Sequence, residues 1–407
     1  MSKKVVGIGK QDFKSIIEQE AFYVDKTYFI KEWWENLDDV TLIARPRRFG
    51  KTLTISMVDY FFSNKYADGG KIFEGLSIWE DEKFRGLQGT YPVISLSFAG
   101  IKENNVNHTL EKIRRLIAEI YETNGFLLES SLLSETEKEE FRDFCAQKLS
   151  DTAYTDSLNK LSGYLYKYYG KKVIILLDEY DTPMQEAYVN GYWDEMASFI
   201  RSLFNATFKG NTYLERGILT GITRISKESI FSDLNNLAVI TISSEKYADV
   251  FGFTVEEVAK SLAYYGLSDQ AGEVETWYDG FIFGQDTVIY NPWSIINYLS
   301  ERKLKPYWAN TSSNSLVGML IRRGSEDVKE QMMALMNGES MIATIDEQIV
   351  FNQLDHNEEA IWSLMLATGY LKIAEKKSMD KYVLKLTNYE VMYMFKNMIS
   401  GWFKSDA

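Results

Sequence analysis

Apolar residues in this sequence follow two patterns, and the pattern changes near Glu245. Before that point, five short runs are rich in Val, Ile and Leu: Val40–Ala44, Val93–Phe98, Lys172–Leu177, Gly217–Gly221 and Ala238–Ile242. A strand with one wet face alternates apolar and polar positions. These runs do not, so they read as strands buried on both faces of a parallel sheet. Stretches of helical periodicity separate them, the longest from about Val106 to Tyr169. Strand–helix alternation of this kind predicts an α/β fold. Inside the long helical stretch, Ser134 followed three positions later by Glu137 predicts a capping box. After Glu245 helical patterns dominate, broken by turns at Tyr278–Gly280 and Asn291–Pro292. Tyr370–Ala374 and Tyr382–Leu386 alternate on either side of a polar Lys-Lys-Ser-Met-Asp turn, which predicts a hairpin. Helices leading into a two-stranded hairpin predict a winged-helix-like module, closed by a last helix from about Tyr389 to Phe403. The expected organisation is an α/β domain over 1–245 and a mostly helical, winged-helix-like domain over 246–407.

Composition narrows the chemistry. The chain has 407 residues, one Cys (Cys145), two His (His108 and His356) and five Pro. A single Cys excludes an internal disulfide and a cysteine zinc site. Two isolated His, better suited to surface or capping roles, argue against a His-rich metal centre or a Ser-His-Asp triad. The remaining chemistry falls to Asp, Glu, Lys, Arg, Ser, Thr and Tyr, a set that suits phosphoryl transfer or carboxylate–metal chemistry. The net charge of −13 disfavours non-specific coating of nucleic acid, which needs excess Lys and Arg. The N-terminus lacks an apolar leader pattern, and no apolar run approaches the roughly 18 residues of a membrane span. The expected setting is the cytoplasm, without a membrane partner.

The strongest chemical signal is Arg45-Pro46-Arg47-Arg48-Phe49-Gly50-Lys51-Thr52, followed by Leu53. It follows the first apolar run and precedes a helical one, the strand–loop–helix setting of a phosphate-binding Walker A loop. A helix N-terminus offers unpaired N–H groups and partial positive charge to a phosphate. Gly50 lets the backbone approach, Lys51 reaches the β- and γ-phosphates, and the Thr52 hydroxyl ligates Mg²⁺. In the general pattern the first Gly falls on Arg45, so the match is degenerate, and the competing reading is a basic turn capping a helix. Arg47 and Arg48 either contact phosphate or a partner or are solvated and ion-paired. The third run ends in Asp178-Glu179, a Walker B pattern: Asp178 is expected to hold Mg²⁺ and Glu179 to act as general base. Asp181 reads as the N-cap of a helix beginning near Pro183. The fourth run ends Thr220-Gly221-Ile222-Thr223-Arg224. Thr220 or Thr223 would sense the γ-phosphate. Arg224 either stabilises transferred charge as an arginine finger or pairs with a nearby acid. One strand between the two nucleotide motifs and two after them predict a parallel sheet of order 5-1-4-3-2 in a P-loop NTPase.

The segments Phe22–Thr27, Arg45–Thr52, Leu176–Pro183, Gly221–Leu237, Trp277–Gly284, Tyr290–Ile295 and Thr368–Leu371 together resemble the AAA-ATPase-like proteins of bacteria. Arg45 in place of the first Gly is usual in that family. The resemblance covers nearly the whole chain and implies ATP binding with Mg²⁺. It also implies a link to mobile elements or phage defence and a following PD-(D/E)XK nuclease-like domain, which is expected to begin about where the sequence ends. Such a protein would be the regulatory or motor part of a nuclease system. The alternatives are a nucleotide-gated scaffold with little turnover, or a protein that touches DNA through the winged-helix-like module. Glu375, Lys376 and Lys377, with Asp355 upstream, match a nuclease pattern by spacing alone and read as a solvated turn. Phe22, Tyr23 and Asp25 either pack in the core or form the adenine side of the site. Trp277, Tyr278, Pro292 and Trp293 read as core.

Overall fold

A computed structural model describes residues 3–224, 230–231, 234–309, 315–347, 354 and 357–405. The five apolar runs form strands: β1 Val40–Ala44, β2 Val93–Ser97, β3 Val173–Asp178, β4 Leu214–Gly221 and β5 Leu237–Ile240. They make one parallel sheet in the order β2-β3-β4-β1-β5, which reads 5-1-4-3-2 from the β5 edge. Every residue of β1 and of β3 is buried, the result expected for central strands covered by helices on both faces. The register sets Ile43 beside Thr220 and Ser97 beside Asp178, so the polar strand ends gather at one edge of the sheet. The helix Lys51–Phe62 leaves β1 and packs back on β2, β3 and β4. In the long helical stretch, Ser134 and Glu137 make the reciprocal capping box. His108 lies exposed in the first turn of the helix Val106–Thr123, against its capping Asn105.

After Glu245 the chain holds more sheet than its helical periodicity suggests. β6 Phe253–Thr254, β7 Phe281–Phe283 and β8 Thr287–Tyr290 form an antiparallel sheet in the order β6-β8-β7. Strands of two to four residues are too short to show a period, which is why the pattern missed them. The predicted hairpin is present as β10 Leu371–Lys376 and β11 Lys381–Leu386, with β9 Met341–Thr344 added beside β11. Glu375 is exposed near the end of β10, beside the turn, and pairs with Lys377 at 2.7 Å; Asp355 and His356 lie outside the described residues. The last helix runs Tyr389–Ser405. Phe281, Phe283, Trp308, Leu384 and Phe395 share one continuous hydrophobic core with the five-stranded sheet. Among the described residues no helix is long and apolar enough to cross a membrane.

Candidate functional site

The loop after β1 turns through two left-handed residues, Arg48 at φ +66° and Gly50 at φ +83°, before the helix Lys51–Phe62 begins. That helix has no side-chain cap. Among the described residues, no acceptor is found for the backbone N–H groups of Arg48 to Thr52. A run of unpaired N–H groups in alternating backbone conformation is an anion cradle. The Lys51 ammonium is buried at its side and donates to the carbonyls of Arg45 and Pro46, both at 2.8 Å. Burial pulls the Lys51 pKa down to about 8, opposed by Glu179, Asp178 and Asp181. A buried cation held by neutral carbonyls next to empty N–H groups is the electrostatic state that an anion would relieve.

The end of β3 faces this cradle. The Thr52 hydroxyl donates to Asp178 Oδ2 at 2.7 Å, joining residues 126 positions apart, and the Thr220 hydroxyl donates to Asp178 Oδ1. Burial raises the Asp178 pKa, and the two hydroxyls pull it back. Glu179 follows in a left-handed conformation, φ +52°, half-exposed, with its Oε2 3.1 Å from the Thr182 hydroxyl and its N–H on Thr220 Oγ1 at 3.3 Å. A divalent cation could sit at Thr52 and Asp178. The described residues contain no group of three or more His, Cys, Asp or Glu able to hold a metal. A cation there would take its other ligands from phosphate and water, as Mg²⁺ commonly does.

Other expected site residues are placed differently. Asp181 does stand at the N-cap of the helix Thr182–Asn190, but its carboxylate does not cap it. Its Oδ2 instead accepts from the N–H groups of Ile222 and Thr223 at 3.0 Å each and from the Thr223 hydroxyl at 2.9 Å. Gln185 Nε2 donates to the same oxygen at 3.0 Å. Thr223 is therefore bound to the β3 turn, and its carbonyl also accepts from the Tyr180 hydroxyl at 2.6 Å, while Thr220 is the threonine in contact with Asp178. A Cβ at Gly221 would lie 2.5 Å from Tyr180, so close packing of the two strand ends requires glycine there. Arg224 lines a small cavity with Thr241 and Glu347. The Arg45 guanidinium is fully buried over the Phe283 ring at 4.4 Å and donates to the Thr241 carbonyl, so Arg45 meets Lys51 through its carbonyl alone. Among the described residues, its Nε and Nη2 have no hydrogen-bond partner.

The outer face of the loop packs on the C-terminal half. Phe49 sits in edge and tilted contact with Phe281 at 4.9 Å and Phe283 at 5.4 Å. Arg48 stacks over Trp293 at 4.3 Å, and Arg47 Nη2 reaches Gln185 at 3.4 Å. Pro46 abuts Gly369, where a Cβ would lie 3.0 Å away. Trp293 is thus a loop contact, not only core, and Phe281, Phe283, Trp308 and Asn291 were not recognised as such. Their signal in the sequence was indirect, an unusual density of aromatics around two turns. Beside the loop lies an open cavity lined by Phe22, Phe49, Leu53, Phe253, Pro292 and Ile296 among others. Tyr23 also lines it. Asp25 does not: it accepts from the Thr27 and Ser77 N–H groups at 2.8 and 2.7 Å, a structural turn.

Comparison with known proteins bears on the same region. A family model described as "AAA-ATPase_like: Predicted AAA-ATPase" matches residues 7–231. An uncharacterized protein in the vnfD 5′ region of Azotobacter chroococcum mcd 1 is 27% identical over 401 residues, covering 96% of this chain and 69% of that protein.

Proposed function

The chain belongs to the AAA-ATPase-like family of predicted AAA-ATPases, and on that premise we propose that it binds Mg-ATP between the ends of β1 and β3 and hydrolyses it. The observation that carries the reading is the Thr52–Asp178 hydrogen bond, set beside a buried Lys51 and an uncapped helix N-terminus. The N–H groups of Arg48 to Thr52 and the Lys51 ammonium receive the β- and γ-phosphates. Thr52 and Asp178 would hold Mg²⁺, which supplies charge neutralisation to the phosphates. Thr220 orients Asp178. Glu179 is the general base toward water, and Arg224 the candidate for transferred charge. The apolar cavity between Phe22, Leu53 and Phe253 suits a purine base. The test is steady-state Mg-ATP hydrolysis by wild type and Glu179→Gln. A general base contributes about 10²–10⁴-fold, so the variant is expected to bind ATP and lose turnover by that order. Equal turnover in the two would remove Glu179 from the mechanism.

A second reading is a nucleotide-gated switch with little turnover, in which residues up to 245 bind and residues 246–407 respond. Its support is the packing of Pro46, Arg48 and Phe49 on the C-terminal half. What the response acts on, a protein or nuclease partner or DNA, belongs to the proposal. The three-stranded sheet with its exposed Lys376, Lys377 and Lys381 suits a winged-helix reader of duplex DNA. A salt-dependent mobility shift at low ionic strength would be its signature, and no shift there would exclude it.

A further inference from the structure

The Arg47 carbonyl is a backbone acceptor in the middle of the phosphate loop, and two side chains from the C-terminal half donate to it. Trp308 Nε1 lies 3.0 Å from it and Asn291 Nδ2 3.3 Å. In a trans peptide the carbonyl and the following N–H point in opposite directions. Holding the Arg47 carbonyl outward therefore holds the Arg48 N–H inward, toward the cradle. Arg48 then continues in the left-handed conformation, the second half of an anion-binding nest.

Both donors are braced by one carboxylate. Trp308 packs edge-on to Phe281 at 5.5 Å and against Tyr370 at 5.4 Å, and its backbone N–H donates to Glu390 Oε1 at 2.6 Å. Asn291 caps the helix Pro292–Glu301 by accepting from Trp293 and Ser294 N–H. The Ser294 hydroxyl in that helix donates to Glu390 Oε2 at 2.9 Å. Glu390 is fully buried at the start of the last helix. The path from the phosphate loop to the last helix thus runs through two side chains, Trp308 and Glu390.

We propose that Trp308 and Asn291 are positioning residues for the nucleotide site, holding the Arg47–Arg48 peptide so that its N–H faces the phosphates, with Glu390 as their common anchor. The inference rests on the proposed nucleotide site. Without the donors, the Arg47 carbonyl loses its outward restraint and is free to turn its negative end into the cradle.

The test uses two conservative variants of the full chain. Trp308→Phe keeps the ring packing and removes the Nε1–H. Asn291→Asp keeps the capping oxygen and removes the Nδ2 donor. Mg-ATP affinity, AMP affinity and the melting temperature of the nucleotide-free protein are measured for each. A net hydrogen bond is worth about fivefold, so each variant is expected to weaken Mg-ATP by about that factor and the pair by about tenfold or more. AMP, which lacks the β-phosphate, should bind as in wild type, and the melting temperature should fall only by the few degrees that one buried hydrogen bond is worth. Unchanged Mg-ATP affinity in both variants overturns the inference alone. Loss of AMP affinity in parallel with Mg-ATP affinity also overturns it, since the two residues would then be merely structural. Absence of Mg-ATP binding by the wild type would overturn the proposed function and this inference with it.

Discussion

The two strand ends that face each other across the candidate site are held by different parts of the molecule. The end of β3 is held by its own sheet: Thr220 on Asp178, and Asp181 with Tyr180 on residues 222 and 223 of the β4 end. The loop after the end of β1 is held from outside the sheet, by Phe281 and Phe283, Trp293, Gly369, Asn291 and Trp308, all in the C-terminal half. The acidic side is therefore intrinsic to the α/β unit, whereas the proposed phosphate side depends on residues well over a hundred positions further along the chain. A change in the C-terminal half would reach the proposed phosphate site through the loop and leave the acids in place.

This contrast can be broken from either side. The larger effect is expected at the self-contained end. Asp181→Ala removes a carboxylate oxygen that serves four donors and leaves the Thr223 N–H buried and unpaired. Hydrogen bonds to a charged group contribute about 1.5–3 kcal/mol, so a stability loss of about 2–3 kcal/mol is expected in chemical denaturation of the nucleotide-free protein. A loss confined to nucleotide affinity would mean that Asp181 is not a structural latch.

The smaller effect concerns pH and sharpens the other end. Burial lowers the Lys51 pKa from 10.5 to about 8. An ammonium bound to phosphate keeps its proton, so the complex holds more protons than the free protein once pH exceeds the free pKa. Mg-ATP affinity should then be flat below about pH 8 and fall above it, by up to about tenfold per pH unit. The same depression has the opposite sign for folding. Between pH 8 and 10.5 the unfolded chain binds the extra proton, so the Lys51 contribution to stability rises with pH over that window. Affinity that stays level up to pH 10 would show that Lys51 is not the buried cation described here.

Much of the site was legible in the sequence because its parts are contiguous. Five apolar runs mark the five strands, and a loop or an acid pair at the end of a run is placed by the strand that precedes it. Thr52 and Asp178 meet because one lies just after such a strand and the other ends one. The sequence was less informative where the partner is backbone. Nothing in Arg47 itself announces that its carbonyl will accept from Trp308 and Asn291. Arg45 belongs to the phosphate-loop motif by position, yet its guanidinium finds Phe283 and Thr241, and only tertiary packing decides where it goes. Asp181 was read correctly as a helix N-cap by position and incorrectly by bond, because Ile222 and Thr223 offer better-placed donors. The strands after Glu245 are too short to carry a period, so the density of aromatics in Trp277–Gly284 and Tyr290–Ile295 was the remaining trace of the contact surface they build.

The central claim is that Lys51 and the N–H groups around it form the phosphate site. Calorimetric titration of wild type and Lys51→Ala with Mg-ATP tests it most directly. Loss of a charged, buried donor is expected to weaken binding by at least about tenfold, and by more than a hundredfold if its full contribution is expressed. One site is expected in the wild type and that loss in the variant, with the β3 end and the fold retained. Equal affinity in the two proteins would contradict it.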